Sequence, residues 1–159
     1  MPITNYLSKH MLETGLYMKK VAQSTGFIYL GLSTTLPNKD GSNVTEPDTE
    51  LGYERKILVR LDDPITSGYS TQKVNLEFVN LIKYDDELRK IVNHKEITMK
   101  EPTASWGTCV ALCLFDAQTG GNLLAYDNVH NTDDSSTTIS PDKGSVVLIR
   151  EKTLQIGIE

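Results

Sequence analysis

At 159 residues, with 38% apolar side chains, the chain has the material for one domain with a real core and not for two fully buried ones. Its 16 basic against 21 acidic side chains leave a net charge of −5, which disfavours a phosphate-tracking nucleic-acid surface. No window approaches the roughly 18 consecutive apolar residues of a membrane span, and no charged leader precedes an apolar run, so neither membrane insertion nor a secretion signal is expected.

The first predicted element is a short helix. Thr4 or Pro2 starts it, Ile3, Leu7, Met11 and Leu12 fall at helical spacing, and Gly15 offers a stop. A helix this short is marginal unless its stripe docks on something. The stripe packs on its own domain in the plain reading and plugs into a partner in the functional one. Residues 1–20 are read as this helix or arm, and 26–159 as the body of a single domain spanning 1–159.

From Gly26 the pattern changes to strands. Phe27 to Ser33 is aromatic and aliphatic enough for a core strand, and Thr34 to Gly41 forms a turn-rich loop. Tyr53 to Leu61 reads as a second strand, with Ile57, Val59 and Leu61 alternating against Lys56, Leu58 and Arg60 until Asp62-Asp63-Pro64 breaks it. Val74, Leu76 and Phe78 make a third strand, and Ile97 with Met99 a short fourth that ends at Pro102. Between them, Leu88, Ile91 and Val92 form a narrow apolar stripe among charged neighbours, which predicts a surface helix over Tyr84 to Val92.

The unbroken apolar run from Cys109 to Phe115 is the densest hydrophobic signal. It predicts a strand whose two faces are both covered, by a second sheet or by a neighbouring subunit. Asp116 to Asn122 turns the chain, with Gly120-Gly121 supplying positive φ, and Leu123 to Val129 returns as the hairpin partner. Val146 to Ile149 and Thr153 to Ile158 read as a last pair joined by Arg150-Glu151-Lys152. Trp106 beside Gly107 buries a large ring where the glycine lets another backbone approach. Cys109 and Cys113 fall on one strand face about 13 Å apart, too far to bond, and read as buried free thiols.

The sequence holds no catalytic signature. His10, His94 and His130 lie in different predicted elements, and no nucleophile elbow, zinc-protease helix, phosphate loop or dinucleotide fingerprint is present. The adjacent carboxylates Asp62-Asp63 and Asp133-Asp134 read as solvated charge. Asn38-Lys39-Asp40-Gly41 fails as a calcium loop, because Leu36 and Pro47 would occupy ligand positions. Asn43-Val44-Thr45 fits a glycosylation acceptor by chance. No catalytic, metal-binding or cofactor-binding residue is assigned, and no cofactor is expected.

Several blocks together carry a resemblance. They are Tyr29-Leu30-Gly31-Leu32-Ser33-Thr34-Thr35 with Pro37, Asp40-Gly41 and Thr45-Glu46-Pro47; Gly52-Tyr53-Glu54-Arg55; Ala104-Ser105-Trp106-Gly107-Thr108; and Phe115-Asp116-Ala117 with Thr119-Gly120-Gly121-Asn122-Leu123-Leu124. In order and spacing the chain resembles a family of small tailed-bacteriophage virion proteins, usually labelled tail fibre or head fibre proteins. It departs from that pattern in the added acidic material around Tyr84 to His94. The resemblance implies a non-enzymatic virion component, made in the host cytoplasm, with no catalytic residues to carry over.

The reading is therefore an all-β fold, an antiparallel β-sandwich with the jelly roll as one form, carrying a short N-terminal helix and one small inserted surface helix. The expected structural core is Tyr29, Leu32, Trp106, Gly107, Val110, Leu112, Phe115, Gly120 and Gly121. Partner contacts are assigned to the helix from Pro2 to Leu12, through Ile3, Leu7 and Met11, and to the loop from Thr34 to Gly52, through Pro37, Asp40, Gly41 and Pro47. The expected partners are further copies of the chain, as a trimer, and the major capsid or tail proteins, with no nucleic acid and no membrane. The alternative is a receptor- or carbohydrate-binding fibre module, in which Tyr6, Tyr17, Tyr53, Tyr69, Tyr84 and Tyr126 would supply stacking faces for a host-surface glycan.

Overall fold

A computed structural model of the chain describes residues 1–16, 27–60, 81–131, 133 and 135–157. The described elements are α1 (Asn5–Leu16), β1 (Phe27–Ser33), β2 (Lys56–Arg60), β3 (Ile82–Asp85), β4 (Lys90–Asn93), β5 (Ile97–Thr98), β6 (Ala111–Phe115), β7 (Leu123–His130), β8 (Ser136–Thr137), β9 (Leu148–Ile149) and β10 (Gln155–Ile156). They form antiparallel sheets in the orders β2-β1-β6-β7-β8, β10-β4-β3 and β5-β9. The fold is all-β with one short helix near the N-terminus, as the sequence predicts.

The apolar run takes the centre of the largest sheet. Leu112 pairs with Leu32 on one side and with Asp127 on the other, and Leu114 pairs with Leu30 and Ala125. One face of the sheet, with Leu30, Leu58, Leu114 and Ala125, packs on Ile82, Ile97, Ile149 and Leu154 from the smaller sheets and the segments beside them. The other face carries Ala111, Cys113, Phe115 and Leu123 with Val44 against them. That second cover is not a second sheet. It is the chain's own connection between β1 and β2. The strand proper also starts later than predicted, because Cys109 leaves the β1 ladder to exchange backbone hydrogen bonds with Ile139 at 2.7 and 3.0 Å.

Both thiols are buried and unbonded, as expected. Burial pushes the Cys109 thiol up to about 11 and the Cys113 thiol up to about 12, so almost no thiolate exists near neutrality. A thiol reagent at pH 8 is expected to label neither cysteine in the folded protein and both once denaturant is added. Stoichiometric labelling of the native protein within minutes would contradict the packing.

Three local readings of the strands are corrected. The segment over Tyr84 to Val92 is a hairpin, not a helix. The Asp85 carboxylate accepts from the backbone N–H of Glu87 and of Leu88, each at 3.0 Å, and Arg89 takes φ 53, which turns the chain back into β4. A short apolar pattern cannot separate the two periods, and pairing of β4 with β10 settles the choice. In β2 strict alternation fails: Leu58 and Val59 are both buried while Ile57 is half-buried, because the register shifts between Ile28 and Tyr29, and Leu61 lies outside the described residues. The last two strands do not pair with each other: β9 joins β5 and β10 joins β4. Lys152, at φ 63 with its N–H on the Asn93 carbonyl, diverts the chain between them.

Helix α1 runs through Gly15 to Leu16, past the predicted stop. Thr4 caps it by accepting from Leu7 N–H at 3.3 Å while its hydroxyl donates to the Leu123 carbonyl at 2.6 Å. Ile3 lies before the helix and bridges to Ala125 in β7. The strand over Val74 to Phe78 and the Asp62-Asp63-Pro64 break lie outside the described residues.

Candidate functional site

The connection from Thr34 to Gly52 is built as a cover with an exposed arc. Its base is fixed at Ser33, whose hydroxyl accepts from Thr45 N–H at 3.0 Å and donates to the Thr35 carbonyl at 2.6 Å. The arc closes where Asn38 N–H donates to the Ser42 carbonyl at 2.9 Å, with Gly41 at φ 88. Asp40 accepts from the Ser42 hydroxyl and backbone, and these bonds hold its carboxyl below the usual carboxylate range. After Pro47, Asp48 caps a single 3-10 turn, Thr49–Leu51, by accepting from Glu50 N–H.

An ion pair between a buried arginine and a half-buried glutamate locks this cover to the sheet. Arg55 donates to Glu46 Oε1 through Nε at 2.8 Å and to Oε2 through Nη2 at 2.7 Å, a fork-to-fork arrangement. Its remaining nitrogen, Nη1, donates to the carbonyls of Ala117 and Gly120 at 2.6 and 2.9 Å, and the guanidinium stacks 3.5 Å from the Phe115 ring centroid. Tyr53 donates to Glu46 Oε1 at 2.6 Å and accepts from Leu32 N–H at 3.0 Å. Burial, and then the bond to Glu46, push its phenol far above the ordinary range.

Gly31 makes room for all of this. A Cβ there would lie 2.6 Å from the Tyr53 hydroxyl, 2.8 Å from Phe115 Cε2 and 3.0 Å from Glu46 Oε1. One side-chain set thus joins β1, the cover and the β6–β7 turn.

The predicted core residues divide into two kinds. Leu32 and Trp106 pack with Tyr53, Met99 and Cys109, and the Trp106 indole N–H donates to the Leu51 carbonyl at 2.8 Å. Phe115 is buried, while Tyr29, Val110 and Leu112 are half-buried on the same sheet. Gly107, Gly120 and Gly121 are exposed and act through backbone conformation, at φ 79, 60 and 72. No backbone closes on Gly107: a Cβ there would meet only the Thr34 methyl, at 3.8 Å. Its role is the left-handed turn before Thr108, not the close approach expected of it.

The predicted partner contacts divide as well. Pro37 and Pro47 are buried in their own chain and Ile3 packs on the sheet core, so these three face inward. Leu7 and Gly41 are half-buried, whereas Met11 and Asp40 reach the surface. Neither Glu46 nor Arg55 falls at a spacing that marks a role. The available signal was an acidic side chain beside Pro47 and an arginine opening an apolar strand, both inside the blocks that carry the family resemblance.

Among the described residues no group of three or more His, Cys, Asp and Glu is placed to hold a metal. His130 Nε2 lies 3.1 Å from Asp127 Oδ1, His10 stacks on Tyr6, and His94 follows β4. Of the tyrosines named for stacking, Tyr53 is buried, Tyr126 is half-buried, and Tyr6 and Tyr84 are exposed on separate elements. Tyr17 and Tyr69 lie outside the described residues. An open groove of about 640 Å³ runs between Tyr29, Glu54, Lys56, Thr98, Lys100 and Gln118. Large apolar side chains stay in water on the β3–β4 hairpin: Tyr84, Leu88 and Ile91.

In a comparison with known families, residues 2–148 match the family described as podophage GP4 fiber I protein gp80. No curated protein matches the chain.

Proposed function

The chain belongs to the podophage GP4 fiber I protein family, a family of phage fibre structural proteins, and from that premise we propose that it works by adhesion between surfaces. It associates with copies of itself, as a trimer, and docks on the capsid or tail of the virion as a head-decoration or fibre-type component. It is made in the host cytoplasm and acts without turnover.

The observation that supports this most directly is how the apolar surface is distributed. Both faces of the five-stranded sheet are covered by the chain itself, yet Tyr84, Leu88 and Ile91 are left exposed on the β3–β4 hairpin. A protein that fills its own core and still exposes an aromatic and two aliphatic side chains together has surface set aside for another protein.

Light scattering on the purified protein at micromolar concentration is expected to give three times the chain mass. A stable monomer across that range overturns the self-association. Labelled antibody on intact particles then distinguishes capsid from tail. Saturable binding of glycans by the isolated protein, without attachment to particles, would favour the receptor-binding reading instead.

A further inference from the structure

The β3–β4 hairpin has two properties that bear on what it contacts. The first is an apolar row. Tyr84 and Ile91 are direct cross-strand partners and share one face, at 58% and 37% exposure, and Ile156 of β10 pairs with Ile91 to carry the row back to the core. Leu88, at the turn, is 44% exposed. Elsewhere among the described residues the exposed large apolar side chains are Tyr6 and Met11 on α1, Leu36 in the connection, and Val146 with Leu148 at β9; none of these is as exposed as Tyr84.

The second property is charge. Between Lys83 and Lys90 the hairpin carries three acidic side chains, Asp85, Asp86 and Glu87, and three basic ones, Lys83, Arg89 and Lys90. The chain as a whole is at −5, so two copies repel at a distance, but the hairpin is locally neutral. A strongly acidic or basic partner would meet as many like charges there as unlike ones. A second copy of the same hairpin can set each sign against its opposite.

We propose that the β3–β4 hairpin is a homotypic docking surface, on which Tyr84 and Ile91 of one copy pack against the same hairpin of the next. This rests on the self-association reading and names the surface that carries it. In a trimer this contact is made when the three hairpins converge on the three-fold axis, each touching both of its neighbours; a two-fold pairing of hairpins would instead close a dimer. The hairpin is also the segment by which the chain departs from the resemblance noted in its sequence.

The test uses Tyr84→Lys/Ile91→Glu in the full chain, with circular dichroism confirming an unchanged fold because both side chains are exposed. Sedimentation equilibrium is expected to show self-association weakened about 30-fold or more, the scale of losing an aromatic anchor. A charge-swap pair sharpens the result. Lys83→Glu/Lys90→Glu and Asp86→Lys/Glu87→Lys should each weaken self-association, and an equimolar mixture of the two should restore assembly.

If the wild type associates and all variants associate equally, the surface assignment is overturned while self-association stands. If the wild type is monomeric throughout, both fall. Loss in the single variants with no recovery on mixing overturns the charge pairing.

Discussion

Replacing Arg55 with methionine is expected to lower the free energy of unfolding by about 3 kcal/mol, because it strands the Glu46 carboxylate against the sheet with no cation to offset its desolvation. The guanidinium side chain is 5% exposed and the carboxylate 24%, so the pair is shielded without being sealed, which places the effect at the lower end for buried pairs. The Ala117 and Gly120 carbonyls lose their donor too, but at that turn water can replace it. Urea denaturation at fixed protein concentration measures the loss. The double variant Glu46→Met/Arg55→Met should recover part of it, since no charge is then left unpaired. Limited proteolysis at Lys39 should accelerate in the single variant as the cover loosens. A destabilisation under about 1 kcal/mol would mean that the ion pair is dispensable and that apolar contacts alone hold the cover.

Trp106→Ala should cost about 3 to 5 kcal/mol by emptying a ring-sized volume between Tyr53, Met99 and Cys109. The indole is 2% exposed and meets the Tyr53 ring edge-on, with centroids 5.2 Å apart. Trp106→Phe separates volume from polarity: most of the ring remains, but the Leu51 carbonyl loses its donor, a loss of about 1 kcal/mol. Thermal unfolding followed by circular dichroism distinguishes the two, and it is preferred to fluorescence because Trp106 is the only tryptophan. Equal losses in both variants would show that the hydrogen bond, not the packing, anchors this corner.

The sheet was legible in the sequence wherever apolar density left one interpretation. Phe27 to Ser33 gave β1 at its true bounds, and Leu123 gave the start of β7. The hairpin at Tyr84 was misread because its stripe at Leu88, Ile91 and Val92 satisfies a helical period over too few residues, and what decides the matter is β10, more than sixty residues away along the chain. The final pairing failed similarly: β9 and β10 are adjacent in sequence but find partners in β5 and β4. The Glu46–Arg55 pair escaped notice because neither side chain lies on a periodic pattern, and only the folded path of the connection brings them to one place. The buried Pro37 and Pro47 show the converse. Turn-forming residues told where the chain bends, but not which side of the bend faces inward.

The first four residues have a consequence of their own. Thr4 N–H donates to the Leu124 carbonyl at 2.8 Å and Tyr126 N–H to the Pro2 carbonyl at 3.2 Å, so this arm occupies the first part of the β7 rim opposite β6, whose far end pairs with β8. Uncapped, that rim would offer a row of unsatisfied peptide groups, a template for stacking without limit. The arm's two backbone hydrogen bonds satisfy peptide groups there and block that stretch against a strand from another chain.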